Sequence, residues 1–269
     1  MPNNREPMRC FEGSAEPYQP FWNFIDAASS ESGETELELY GIISEYSWYD
    51  DDITPAKFKA DLYNIGKGGP VLMKVNSPGG DVIAASVMRS ILSDYPGAVT
   101  ARVDGIAASA AVAVTTAARH VQMIDSAYMM IHDPALVVFL AYLDIETLGR
   151  LHDELANIKD GLILAYETRT GLGATRLAHM MTEETWMSAR QAVDFGFADE
   201  IVAGGQKKAQ NVGFVNCLRG YGRVPEAVLQ AFTVDHPEVV SSILTDEMKR
   251  EAQSLREQVN TILQRSNHA

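Results

Sequence analysis

Cysteine is almost missing from this chain: Cys10 and Cys217 stand far apart and outside any metal-ligand spacing, so neither a disulfide framework nor a zinc site is expected. Positive charge is scarce as well. With 22 Lys and Arg against 36 Asp and Glu, the net charge is -14, and no local basic stripe offsets it. Nucleic acid and anionic membranes are therefore excluded as main partners, because both need clustered cations to neutralise phosphate. Long apolar runs are absent too: the most apolar stretch, 105–118, is bounded by Asp104 and Arg119 and falls short of the roughly 20 residues that span a bilayer. The first residues lack the charged segment and apolar core of a secretory signal. A reducing cytoplasm is the expected location.

What is present suffices for one substantial core. A chain of 269 residues with 46% hydrophobic content is read as one main domain with appendages. Residues 1–34 carry Pro2, Pro7, Pro17 and Pro20 with a Ser- and Glu-containing run, which predicts an N-terminal arm with one sticky patch at Phe21–Ile25. The domain is placed at 35–203, and the Gly- and Pro-containing stretch 204–244 reads as a flexible linker. Over 245–266, Met248, Ala252, Leu255, Val259 and Ile262 recur four and three residues apart, predicting an amphipathic helix that docks on the body or on another chain.

Within the domain, apolar alternation predicts strands over 37–43, 70–75, 99–103, 120–124 and 128–131. Helical spacing predicts helices over 55–65 and from Val82 to Leu92, the latter following the turn Asn76-Ser77-Pro78-Gly79-Gly80-Asp81. Strand, glycine turn and helix begin a right-handed βαβ unit. The consecutive glycines let a bound chain approach the backbone. A turn at Asp104-Gly105 and a helix over 107–118 put Ser109 in a first helical turn, near unpaired N–H groups that favour developing negative charge. Asp144 is the expected N-cap of one long helix reaching Thr170 and ended by Gly171. A short helix covers 174–181, the acidic pair Glu183-Glu184 falls in a loop before Trp186, and Ser188 caps a last small helix.

Three signals point to one chemistry. Ser109 lies at a helix start, His132 follows a strand end, and Glu183-Glu184 supplies carboxylates. A serine hydroxyl is a weak nucleophile at neutral pH, so acyl transfer needs a base to take its proton and a carboxylate to orient that base. Each residue alone reads more readily as structural: Ser109 as a close-packing residue, His132 as a surface loop histidine.

Four blocks in order, Asn76-Ser-Pro-Gly-Gly80, Gly105-Ile-Ala-Ala-Ser109-Ala110, Met130-Ile-His132-Asp-Pro134 and the segment from Trp186 to Asp199, resemble the signature blocks of the ClpP peptidase family. The resemblance runs from about Leu37 to Val202. It implies an α/β fold, the ClpP/crotonase-like spiral of repeated ββα units with a long protruding helix, here with an N-terminal arm and a C-terminal helical tail. It further implies Ser109 as nucleophile, His132 as general base, and the N–H groups of Gly80 and Ala110 as an oxyanion hole. Gly79, Gly80 and Pro134 are expected along the substrate path. The family usually carries Asp where this chain has Glu184, so a Ser-His-Glu triad is expected, with Glu183 in reserve.

A polypeptide substrate, a homo-oligomeric ring clamped through the long helix, and no metal or cofactor are implied. The stretch 135–142 departs from the family's Gly-rich strand, and the arm does not resemble the loops that dock an unfoldase. With its appended tail the chain looks closer to the ClpP-like head maturation proteases of tailed phages, which would make capsid or scaffold proteins its partners and the host cytoplasm or procapsid interior its place. The alternatives are a degradative peptidase fed by an ATPase, an inactive assembly or scaffold module on the same fold, and an acyl-CoA-processing crotonase, for which no basic nucleotide patch is visible.

Overall fold

The computed structural model describes residues 22–30, 32–43, 55–136, 142–204, 217–218 and 220–232. The first part of the expected arm, most of the expected linker, the segment 137–141 and the expected helix over 245–266 lie outside the described residues. In chain order the elements are β1 (Trp22–Ile25), β2 (Thr35–Ile43), α1 (Pro55–Gly66), β3 (Val71–Gly80), α2 (Val82–Asp94), β4 (Val99–Ala108), α3 (Ala110–Thr115), β5 (His120–Ile124) and β6 (Tyr128–Ile131). They continue with α4 (Ile145–Thr170), α5 (Ala174–Thr182), β7 (Thr185–Ser188), α6 (Ala189–Asp194), β8 (Glu200–Val202) and α7 (Glu226–Phe232).

The strands form one mixed sheet in the order β1-β2-β3-β4-β5-β8, with β6 branching from β4 and carrying β7. From β2 through β5 the neighbours are parallel, each joined by a helix. Their alternating residues build two buried rows across four strands: Leu37, Met73, Ala101 and Val121, then Leu39, Val75, Val103 and Met123. Strands buried in this way need covering helices, and α1, α2 and α3 contribute Phe58, Leu62, Ala85, Met88, Leu92, Val112 and Val114 to the same core. The α/β expectation is met.

Between those rows lies a polar one, Glu38, Lys74, Arg102, Gln122 and Glu200, in register across five strands. Lys74 is buried, and its Nζ lies 2.5 Å from Glu36 Oε2. Burial pushes the Glu36 carboxyl up, but the Lys74 hydrogen bond and charge outweigh it and hold the group below its ordinary range. Asp104 is buried too, accepting from the Tyr40 hydroxyl at 2.6 Å and paired with Arg102 Nε at 2.6 Å.

That pairing corrects the expectation of a turn at Asp104-Gly105. Because Tyr40 from β2 and Arg102 two residues back on β4 satisfy Asp104, the strand continues to Ala108, and α3 shrinks to six residues. Its first half pairs with β5 through Thr100–Val103 and its second with β6 through Ile106–Ala108. Ser109 thus stands between strand and helix, not within the first helical turn. Two further differences concern the appendages. Trp22–Ile25, read as part of the arm, is an edge strand antiparallel to β2 with Trp22 buried, since the ring packs edge-to-face on Phe58 at 5.4 Å. Leu218 and the residues 220–232, read as linker, are folded against the body.

The long helix, by contrast, begins and ends where its caps predict. Asp144 Oδ1 accepts from Thr147 N at 2.8 Å, and Gly171 closes α4 with φ of 71°. Asp81 does the same for α2 directly after the glycine turn, accepting from Ala84 N at 2.7 Å. Asp81→Ala is expected to cost about 1 kcal/mol of stability, read as a lowered midpoint in urea unfolding at unchanged slope.

Candidate active site

Ser109 is the hinge between β4 and α3, and its backbone is strained: φ of 54° with ψ of -124° lies where L-residues rarely go. Its N–H donates to Met130 O at 2.8 Å, which ties the turn to β6. Strand β6 ends one residue before His132, so the same tie delivers the imidazole. Ser109 Oγ and His132 Nε2 are 2.7 Å apart, a hydrogen bond in which a neutral imidazole can accept the hydroxyl proton.

Burial pulls the His132 imidazole below its usual range, and the charges of Glu184 and Asp133 oppose that only in part. Asp133 is itself held: its N–H donates to Met181 O, Thr182 Oγ1 donates to its carboxylate at 3.0 Å, and Lys159 Nζ lies 2.7 Å away. The loop carrying His132 is thereby fastened to α4 and α5. Pro134 follows in the same extended segment, half-buried.

The glycine turn lies on the other side of Ser109. A Cβ on Gly79 would stand 2.6 Å from Ala108 O, 2.8 Å from Ser109 Cβ and 3.2 Å from Ala110 N, so only glycine fits against the serine. Gly80, with φ of 142°, packs against β2: a Cβ there would stand 2.0 Å from Ile43 O. Ala110 opens α3, where an N–H has no acceptor within the helix.

Glu184 reaches the site through a strand that short-range patterning does not reveal. The register of β6 with β7 pairs Met130 with Trp186 and Ile131 with Thr185, and His132 and Glu184 are the residues that adjoin this last pair. Among the described residues, however, no hydrogen bond joins the two. The carboxylate accepts instead from Trp186 Nε1 at 3.0 Å, Gly222 N at 2.8 Å and Arg223 N at 2.7 Å. Glu184 takes a left-handed φ of 49° to do so. Glu183 turns away, pairing with the Arg223 guanidinium, which holds its carboxyl below the ordinary range.

Tyr221, Gly222 and Arg223 were not among the expected site residues. Tyr221 packs edge-to-face on His132 at 5.1 Å and on Trp186 at 6.2 Å, and its hydroxyl donates to Pro78 O at 2.6 Å. The available signal was the apolar spacing Leu218, Tyr221, Val224 and Val228, an amphipathic pattern inside a stretch otherwise rich in Gly and charge. Among the described residues no helix is long and apolar enough to cross a membrane.

A family model described as Clp protease matches residues 61–205. The chain is similar to the ATP-dependent Clp protease proteolytic subunit 1 of Protochlamydia amoebophila, at 29% identity over 139 residues that cover 50% of this chain and 66% of that protein. It is also similar to the ATP-dependent Clp protease proteolytic subunit 2 of Treponema pallidum, at 28% identity over 65% of this chain and 90% of the relative. Among solved structures, a point mutant of ClpP1 from Listeria monocytogenes shares the fold, with a TM-score of 0.54 at 19% identity over 63% of this chain and 91% of its own. The family match extends over more than half of the sequence and takes in the glycine turn, Ser109, His132 and Glu184: the chain belongs to the Clp protease family.

Proposed function

We propose that this chain is a serine endopeptidase acting through an acyl-enzyme, with Ser109 as nucleophile and His132 as general base. The observation that carries the reading is the 2.7 Å contact between Ser109 Oγ and His132 Nε2 on a strained strand-to-helix turn. His132 takes the hydroxyl proton as Ser109 Oγ adds to the peptide carbonyl carbon. Collapse of the tetrahedral intermediate breaks the C–N bond, and the imidazolium returns the proton to the departing amine. Water, activated by the same imidazole, then releases the acyl group.

Glu184 is assigned to stabilise that imidazolium by its charge. The N–H groups of Gly80 and Ala110 are assigned to the oxyanion, with Gly79 packed against Ser109 between them. The turn and Pro134 flank the path of an extended substrate. A homo-oligomeric ring built through α4 is part of the same reading, as the family implies.

For the biological setting we infer processing of capsid or scaffold polypeptides during head maturation. The support is architectural: 64 residues follow the family-matched region, and Leu218 and the residues 220–232 among them are built around the site. The relatives' names as ATP-dependent Clp proteolytic subunits support the second reading, a degradative subunit fed by an ATPase.

The test is the pH dependence of covalent labelling by a fluorophosphonate. Neutral His132 is the active form, so the rate rises with pH through its folded pKa. Since burial lowers that pKa, the acid limb is expected below the ordinary imidazole range, with labelling retained in mildly acidic buffer. No labelling of folded protein at any pH would remove the peptidase reading. A midpoint at or above the ordinary imidazole range would contradict the buried base.

A further inference from the structure

The region matched to the Clp protease family ends at residue 205, yet the chain beyond it returns to the site. Leu218 and Val228 are fully buried in a small core of their own with Ile106, Ala108 and Met130, and Tyr221, Val224 and Leu229 pack against it. Ile106 and Ala108 belong to the half of β4 that leads into Ser109, and Met130 accepts the Ser109 N–H. The returning segment therefore rests on the strands that aim both the nucleophile and the base.

Its polar contacts fall on the remaining parts. The Gly222 and Arg223 main-chain N–H groups donate to the two Glu184 carboxylate oxygens, one to each, and the Arg223 guanidinium donates to Glu183 O at 2.9 Å and to the Glu183 carboxylate. Three donors, counting Trp186 Nε1, fix a carboxylate that follows a left-handed backbone. Main-chain donors suit this task because they carry no side-chain freedom to lose. Tyr221 spans from Pro78, in the glycine turn, to the His132 ring. Burial raises its hydroxyl to about 12 against the opposing pull of the Ser109 side chain, so it stays a donor at working pH.

We propose that Tyr221, Gly222 and Arg223 form a positioning clamp, contributed by the segment after the family-matched region, that holds Glu184 beside His132 and locks the imidazole against the glycine turn. The Ser109–His132 bond is intact with the clamp in place, as a positioning role requires. The proposal rests on the reading of Ser109 and His132 as the catalytic pair. The groups that face His132 are Ser109, Tyr221, Glu184 and Asp133, the last paired with Lys159. Of these, only Glu184 is held by the clamp.

The experiment uses the full chain and three forms. Arg223→Pro removes the N–H donated to Glu184 together with the guanidinium; Arg223→Ala removes the guanidinium alone, so their difference isolates the main-chain bond. Two readouts are taken: the His132 titration by NMR and the pH profile of fluorophosphonate labelling. With one of its three donors gone, Glu184 is held less firmly and its charge supports the imidazolium less. The His132 midpoint is then expected to fall in Arg223→Pro below both wild type and Arg223→Ala. Labelling at the plateau is expected to drop roughly ten- to a hundredfold, more than in Arg223→Ala.

An Arg223→Pro midpoint equal to that of Arg223→Ala overturns the clamp, whether or not any form is labelled. Faster labelling than wild type overturns it as well, because the segment would then obstruct the site. Failure of the catalytic reading has its own signature, an unlabelled wild type. If Arg223→Pro does not fold, Tyr221→Ala carries the test through the ring: slowed labelling with a moved acid limb supports the clamp, and an unchanged profile overturns it.

Discussion

Ser109→Ala is expected to lower peptide hydrolysis and fluorophosphonate labelling by about a thousandfold or more, the loss that follows removal of an activated nucleophile. Ser109→Gly is expected to be equally inactive and yet more stable than the alanine variant. Both lose the bond to His132 Nε2, so the comparison cancels that cost. What differs is the backbone: at φ of 54° and ψ of -124° a Cβ is strained by about 1–3 kcal/mol, while glycine gives back roughly 0.5–1 kcal/mol in unfolded-state entropy. A net gain of about 1 kcal/mol for glycine over alanine, measured by urea unfolding, would mark the turn as strained to present the hydroxyl. A glycine variant less stable than the alanine variant by that entropy, about 0.5–1 kcal/mol, would mean that the turn holds no such strain. Hydrolysis that survives in Ser109→Ala would displace Ser109 as the nucleophile.

The parts of the site differ in how far short-range patterning reaches them. β5, β6 and α4 are legible because each carries a complete local signal: alternation bounded by turns, or an apolar stripe between Asp144 and Gly171. His132 follows the end of one such element, β6, so its place follows from the element, whereas Ser109 stands between β4 and α3, whose bounds tertiary contacts decide. β4 is legible only as far as Asp104, because a carboxylate followed by glycine reads as a turn unless the distant Tyr40 hydroxyl is known to donate to it. Lys74 is the same case, buried only by virtue of Glu36 from the neighbouring strand.

β7 escaped for a different reason. Four residues, Thr185–Ser188, are too few to show a period, and their strand character comes from pairing with β6. That pairing is what carries Glu184 to His132. The residues 220–232 are further still from local reading, since Gly220, Gly222 and Pro225 mark a loop correctly while saying nothing of where the loop lies. Tyr221 meets Pro78 across 143 positions, and no local pattern encodes a contact of that range.

The glycine turn shows the opposite relation, a local motif whose reason is tertiary, and it supports the second large effect. Gly79→Ala is expected to reduce labelling about a hundredfold or more and to destabilise the fold by at least about 2 kcal/mol. The new Cβ would stand 2.6 Å from Ala108 O and 2.8 Å from Ser109 Cβ at a φ of 96°. Neither neighbour is the end of a flexible side chain, so relief requires β3 to move away from the Ser109 turn. That movement also withdraws the backbone assigned to the oxyanion, which is why activity falls further than the strain alone dictates. Gly161→Ala is the matched control: it lies in the middle of α4, where a Cβ meets nothing within 4 Å, and helix propensity predicts a gain of up to about 1 kcal/mol with labelling unchanged. If Gly79→Ala instead labels at the wild-type rate, the turn does not abut a working nucleophile, and the oxyanion assignment falls with it.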